Sequence, residues 1–367
     1  MLQLNRLHIV KFKNIIESDL SFQSKYVAFC GNNGAGKTSI LDAIYYLSIG
    51  KSYFNSVDQM NINHASDYFN LHGYFGKQGD EMDVFCSFMK GARKKIKKNG
   101  LDYQKLSDHL GEIPVVMIAP NDNMLIVGGS EERRRFMDVL LSQLDRDYMN
   151  ALINYNQVLL QRNAQLVKMG EQRSKDRSLL SVYDKQLTIY GQIVHEKRVA
   201  FIDPFKEVFV KFYKMISNAA EEVKVVYDSQ MNNQELLVLF DEYFEKDLAI
   251  QRTMAGIHKD DLYIELDGKS ARKFASLGQQ KTILLSLKLA QFGFMTQMKG
   301  FEPLLLLDDV FDRLDRNRVT NLIDVIIKNG FGQIFITDTN AGRVKEIFAG
   351  LENPVEIFMV EKGFVKN

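Results

Sequence analysis

Residues Gly31 to Thr38 read Gly-Asn-Asn-Gly-Ala-Gly-Lys-Thr and match G-x-x-x-x-G-K-[ST] in full. This spacing suits the capture of a phosphate chain. Gly31, Gly34 and Gly36 allow backbone conformations closed to residues with a Cβ, so that the N–H groups of Asn32, Asn33 and Ala35 can turn around an anion. The helix that opens on Lys37, Thr38 and Ser39 adds its positive end. Lys37 brings a compact charge to the β- and γ-phosphates, and the Thr38 hydroxyl suits the Mg²⁺ that bridges the same oxygens.

Two acids far downstream fit the same chemistry. "LLLLDD" ends an apolar run in Asp308, a second Mg²⁺ ligand, and Asp309, placed where a carboxylate can orient or deprotonate an attacking water. Asp309 can also be read as a turn residue after a strand, a reading that the complete phosphate loop disfavours. A third element, "FASLGQQKTILLSLKLAQ", sets Ser276, Gly278 and Gln279 at the head of a long amphipathic helix. Such a start can present a hydroxyl and backbone N–H groups to a phosphate, or Ser276 can simply cap the helix.

The elements that must position these groups are legible around them. "YVAFC" before the loop, "LLLL" at 304 to 307 and "QIFIT" at 333 to 337 are short apolar runs of the parallel-sheet kind. Residues 60 to 106 alternate with turn residues and predict an antiparallel meander. From about residue 131 the period becomes helical, through Phe136, Leu140, Leu144, Tyr148, Leu152, Tyr155 and Leu159. It breaks at "GEQRSKDRS" and resumes through Tyr183, Leu187, Tyr190 and Val194, with Pro204 expected to kink or restart the helix. "DLYIELDGKSARKF" returns to sheet, and "VEIFMVEKGFVKN" predicts a hairpin around Lys362 and Gly363. The expected fold is α/β: a P-loop head of mixed sheet with an antiparallel meander, and an inserted helical lobe. The head takes residues 1–112 and 251–367 and the lobe 113–250.

Composition removes several function classes. With 47 basic and 46 acidic side chains in 367 residues the net charge is +1, so affinity for nucleic acid must come from local patches. The only cysteines, Cys30 and Cys86, have no metal-ligand spacing and are expected in the core of a reduced, cytoplasmic protein. No run of 18 apolar residues and no signal-peptide apolar region occurs, so no membrane partner is expected. A guanine-reading Asn-Lys-x-Asp is absent, and no sustained heptads predict a long coiled-coil arm. The densest basic run places Lys90, Arg93, Lys94, Lys95, Lys97 and Lys98 on a predicted hairpin. It suits DNA phosphates and equally suits an edge strand guarded by lysines. Arg133, Arg134 and Arg135 open the helical lobe beside two glutamates.

The chain resembles the RecF family of SMC-like ABC-type ATPases nearly end to end. The likeness rests on "KFKNI", "GNNGAGKTSILDAIYYLSIGKSYF", "IAPNDNMLIVGGSEERRRFMD", "LLQRNAQL", "GIHKDDL", "SLGQQKTILLSLKLAQ" and "LLLLDDVFDRLD". "GGSEERRRFMD" and "GIHKDDL" are far more specific than a phosphate loop. The resemblance implies that Lys13 and Asn14 reach the nucleotide from a basic loop, with Lys13 in place of the more usual arginine. It also implies that Ser276, Gly278 and Gln279 serve the nucleotide of a second copy, with Asp315 communicating across the interface. "FDRLD" departs from the Ser-Glu-Leu-Asp of relatives at Asp312 and Arg313, and the sensor strand offers Thr337, Asp338 and Thr339 where transporter ATPases have a histidine. The function implied by this likeness is a weak, DNA-stimulated ATPase with ATP and Mg²⁺ as cofactors. It would act as an ATP-dependent homodimeric clamp on duplex, gapped or junction DNA, working with RecR and RecO to help RecA at single-strand gaps. The neighbours of His258 within "GIHKDDL" suggest no role for it.

Overall fold

The computed structural model describes residues 1–217, 221–311, 316–350 and 353–366. In chain order, β1 (Leu2–Phe12), β2 (Ile15–Ser21) and β3 (Tyr26–Cys30) lead through the phosphate loop into α1 (Lys37–Ile49). Then come β4 (Tyr68–Lys77), β5 (Asp80–Met89), β6 (Lys95–Lys98), β7 (Leu101–Asp102) and β8 (Val115–Ile118). The helical stretch holds α2 (Met124–Val127), α3 (Ser130–Leu144), α4 (Arg146–Glu171) and α5 (Ser178–Ser217), followed by β9 (Val223–Asp228), α6 (Leu236–Ile250), β10 (Asp261–Leu266), β11 (Lys269–Ser270) and α7 (Ala271–Phe274). The chain continues with α8 (Leu277–Lys299), β12 (Leu304–Leu307), α9 (Arg316–Lys328), β13 (Ile334–Asp338), α10 (Ala341–Ile347), β14 (Val355–Glu361) and β15 (Phe364–Lys366).

Two compact units result. The first comprises Met1–Asp122, Phe212–Ala219 and Lys281–Asn367, and the second Asn123–Lys211 and Ala220–Gln280. In the first unit, β14, β3, β13, β12 and β8 form a parallel sheet in that order, with β15 antiparallel at the edge. Strands β3, β13, β12 and β8 are buried runs, as in a parallel sheet covered on both faces, whereas β14 and β15 at the edge are partly exposed. A second sheet, β2-β1-β4-β5-β6-β7, is antiparallel throughout. Its alternating pattern turns Leu7, Ile9, Leu71, Val84 and Cys86 into the core. Phe22 meets Phe29, Phe335 and Phe358 edge-on, which packs the parallel sheet from within.

The second unit joins α2–α7 to a small sheet, β11-β10-β9. Residues 261–270, expected with the head, pair here because β10 aligns antiparallel with β9 from Asp261–Asp228 to Leu266–Val223. Pro204 does not break α5, which runs through it. Ala200 and Pro204 both lie on the exposed face, so the carbonyl that loses its helical donor meets water. Helix α8 is buried on nearly every side from Thr282 to Met295, not along one stripe.

Candidate functional site

Strand β3 delivers the phosphate loop to the end of the parallel sheet, and α1 begins at Lys37 directly after it. Gly31 donates its N–H to the Asp338 carbonyl of β13, and a Cβ there would stand 2.1 Å from the Val360 oxygen, so glycine is required by crowding. Gly34 (φ 77°) and Gly36 (φ 119°) occupy left-handed conformations. Lys37 folds over the loop and donates to the carbonyls of Gly31 at 2.6 Å and Asn32 at 2.9 Å.

The two halves of the expected site meet. Thr38 donates its hydroxyl to Asp308 Oδ1 at 2.9 Å, across 270 positions of sequence. Thr337, at the end of the neighbouring strand, donates to the same oxygen at 2.8 Å and accepts the N–H of Asp309 at 2.9 Å. One hydroxyl thus touches the Asp308 carboxylate and the Asp309 backbone, and Asp309 takes a left-handed φ of 50° at the strand end. Burial pushes the Asp308 carboxyl above its ordinary range, against the hydroxyls of Thr337 and Thr38 and the charge of Lys37.

Together with Lys13, Asn14, Asn33 and Ser39, these groups line a cleft of about 460 Å³ whose remaining wall is Met60, Ile62, His64 and Pro120. The 11–14 and 61–63 segments are stitched by Lys13 N–H to Asn61 O and Asn63 N–H to Lys11 O, both 2.8 Å. Lys13 lines this cleft, but its ammonium is held 2.5 Å from the fully buried Asp42, which also accepts from Ser52 and the Tyr53 N–H. Asn14 braces the loop, donating to Gly34 O at 3.1 Å and accepting from Ser39 at 2.7 Å.

The sequence matches the family described as RecF/RecN/SMC N-terminal domain over residues 3–366. The DNA replication and repair protein RecF of Parabacteroides distasonis is 44% identical over 363 residues, 99% of this chain and 98% of the relative. That of Flavobacterium johnsoniae is 42% identical over 97% of this chain and 99% of its own length. The chain belongs to the RecF family of DNA replication and repair proteins. Solved structures of the recombination mediator protein RecF-ATPrS and RecF-ATP in the RecFOR pathway superpose with TM-scores of 0.89. They are 28% and 29% identical, and each comparison covers 100% of this chain and 98% or 97% of the other. The Smc head domain of Pyrococcus furiosus, at 17% identity and TM-score 0.58 over 100% of this chain and 96% of its own, shares the fold. The mixed α/β head is therefore that of RecF and SMC proteins.

The family-specific motifs meet in the second unit. Arg133 of "GGSEERRRFMD" pairs with Asp261 of "GIHKDDL" through two nitrogens at 2.7 and 2.9 Å, and Arg134 donates to the Asp260 carbonyl at 2.6 Å. Arg198, almost fully buried, reaches Asp260, Asp138 and the Ile257 carbonyl at 2.6, 2.8 and 2.9 Å. Arg162 of "LLQRNAQL", fully buried, donates to Asp184 at 2.6 Å and Asp247 at 2.7 Å, with its guanidinium over Phe240. His258 gains a role here. Its Nε2 faces the Thr253 carbonyl at 3.1 Å, which can only accept, so Nε2 carries a proton, and in the neutral ring Nδ1 then accepts from the Tyr155 hydroxyl at 2.9 Å. Burial brings the ring's pKa down to about 4, which keeps it neutral and leaves Nδ1 free of a proton.

Ser276 and Gln279 form a capping box at the start of α8. Gln279 N–H donates to Ser276 Oγ at 3.3 Å, and Ser276 N–H to Gln279 Oε1 at 2.7 Å. Ser276 is exposed, and Phe274 and Leu277 beside it are 68% and 75% exposed. Asp315, with Asp312 and Arg313, lies outside the described residues.

In the basic hairpin, Lys94 is held by Asp58 and the Gly50 carbonyl, Lys97 lies 3.6 Å from Asp102, and Lys98 pairs with Glu112 at 2.6 Å. Lys90, Arg93 and Lys95 are exposed and enter no ion pair among the described residues. Sequence reasoning missed Asp42, Met60, Ile62 and His64. Asp42 follows Lys37 by five positions on α1, a spacing that carries no signal alone, and the others belong to a segment without regular period.

Proposed function

We propose that this protein binds ATP with Mg²⁺ in the cleft, and that the nucleotide closes two copies over DNA during recombinational repair and replication restart. The observation that carries this reading is the junction of Thr38 with Asp308 beside Lys37. The ATP-bound RecF structures, similar over the whole chain, support it. The donor set suits Mg²⁺. A hydroxyl and a carboxylate are hard oxygens, and their 2.9 Å separation matches the edge of about 2.9 Å between neighbouring oxygens of an octahedron with ~2.1 Å bonds. Burial of Asp308 adds a demand for positive charge. Bound Mg²⁺ would neutralise charge on the β- and γ-oxygens.

The chain's own groups do the rest. Lys37 exchanges its two loop carbonyls for phosphate oxygens. Asp309, whose backbone N–H is held by Thr337, is the base that orients or deprotonates water, and slow turnover acts as a timer for reopening. The exposed Ser276 turn of one copy, with Gly278 and Gln279, serves the nucleotide of the other. The apolar side chains of Phe274 and Leu277 are the groups such closure would cover. Sequence-independent contact to a duplex, gap or junction is assigned to Lys90, Arg93 and Lys95, whose charges are not neutralised within the hairpin. Action with RecO and RecR on behalf of RecA is the role the family membership favours.

Titration with ATP and Mg²⁺ tests the first step. The natural sequence should bind, and Lys37→Ala should bind about 100-fold more weakly, because a charge-assisted phosphate contact is lost. Equal affinity in the two proteins would remove the phosphate loop from the mechanism.

A further inference from the structure

The phosphate loop is not held by its own turn alone. The parallel ladder of β14 along β3 runs to the Met359–Cys30 pair, so the next residues, Val360 and Gly31, come side by side. The Val360 carbonyl occupies the space a Gly31 Cβ would fill. The chain then turns through Lys362 (φ 49°) and Gly363 (φ 80°), and the Gly363 N–H donates to the Ala35 carbonyl at 2.8 Å. Asn14 approaches from the other strand system. It grips Gly34 and Ser39, and its side chain lies 3.2 Å from where a Gly36 Cβ would stand. Gly363 itself is buried and packs against Asn14, whose carbonyl oxygen would be 2.4 Å from any Cβ at position 363. The two supports therefore touch each other, and between them they engage Gly31, Gly34, Ala35 and Ser39.

We infer that the C-terminal hairpin turn, Val360–Gly363, and Asn14 together form a brace that fixes the phosphate loop in its anion-receiving shape, making Gly363 and Asn14 positioning residues for nucleotide. The inference rests on the nucleotide reading of the cleft for its functional consequence. A loop of glycines loses much conformational freedom when ordered. A brace bears that cost before the phosphate arrives, and its removal returns the cost to the binding step. Gly363 has no side chain with which to touch a ligand, and its N–H is engaged by Ala35, so an effect of this position on affinity passes through the loop or through Asn14, and loop exchange tells the two apart.

Gly363→Ala in the full chain tests the brace by two readouts. Amide hydrogen exchange of residues 31–36 in the nucleotide-free protein should speed up while exchange in β4 and β5 stays as before. ATP and ADP should bind about ten-fold more weakly, the cost of one lost hydrogen bond and some loop order. Asn14→Ala, which adds no atom, should give the same pattern and carries the test alone if Gly363→Ala does not fold. Unchanged loop exchange in whichever variants fold overturns the brace. If the parent protein binds neither ATP nor ADP, the nucleotide reading fails, and the exchange of residues 31–36 still decides whether the brace exists.

Discussion

The phosphate-loop cleft and the ionic knot of the helical unit are built from the same residue types and use them in opposite ways. In the cleft, Lys37 sits on carbonyls of its own loop, and one Asp308 oxygen takes two hydroxyls. These are weak, exchangeable partners at the wall of an open space. In the knot, Arg162 and Arg198 are almost fully buried and closed in by carboxylates and aromatic rings. A charge that can trade partners is available for a ligand. A charge desolvated between fixed carboxylates is committed to the fold, because removing either partner strands the other. The motifs "GGSEERRRFMD" and "GIHKDDL" thus hold architecture together, while the loop motif lines the cleft proposed for nucleotide.

Breaking the knot should give the largest effect. Arg198→Met leaves Asp138 and Asp260 without their shared cation and should lower stability by about 3–5 kcal/mol in denaturant unfolding, while ATP affinity of the remaining folded protein stays the same. A loss below about 1 kcal/mol would show that the knot is not what holds this unit. His258 sharpens the comparison through pH. Its folded pKa of about 4 lies below the unfolded value near 6.5, so its contribution is complete above pH 6.5 and is lost as pH falls through 4. The two values bound the loss at about 3 kcal/mol. His258→Gln should flatten this part of the stability profile, and an unaltered slope between pH 6.5 and 4 would refute the neutral-ring assignment.

Ser276 separates the capping reading from the shared-site reading. As a cap alone, Ser276→Ala should cost about 1 kcal/mol in stability and nothing more. The account predicts that small loss together with loss of ATP-driven association. Retained association would return Ser276 to the status of a cap.

Much of the cleft could be read from sequence because its parts are local. The glycine spacing, the apolar run before Asp308 and the strand before Thr337 each announce themselves within a few residues. Pairings between distant residues could not be read. Lys13 and Asn14 look alike as cleft candidates, yet Lys13 is tied to Asp42 and Asn14 supports Gly34, a division set by the left-handed turn at Lys13 (φ 51°). The basic run looks uniform as a string, but nearby acids pair Lys94, Lys97 and Lys98 while Lys90, Arg93 and Lys95 stay exposed. β10 reads as a strand in sequence, but only its register with β9 assigns it to the helical unit.

The most direct test of the central claim is the molar mass in solution of Asp309→Asn, with and without ATP and Mg²⁺, and with a short gapped duplex in a parallel run. The account predicts that mass doubles with ATP and that the DNA is then retained more tightly, because the cleft still binds and turnover is blocked. A protein that binds ATP yet stays monomeric, with and without DNA, would contradict the nucleotide-closed clamp.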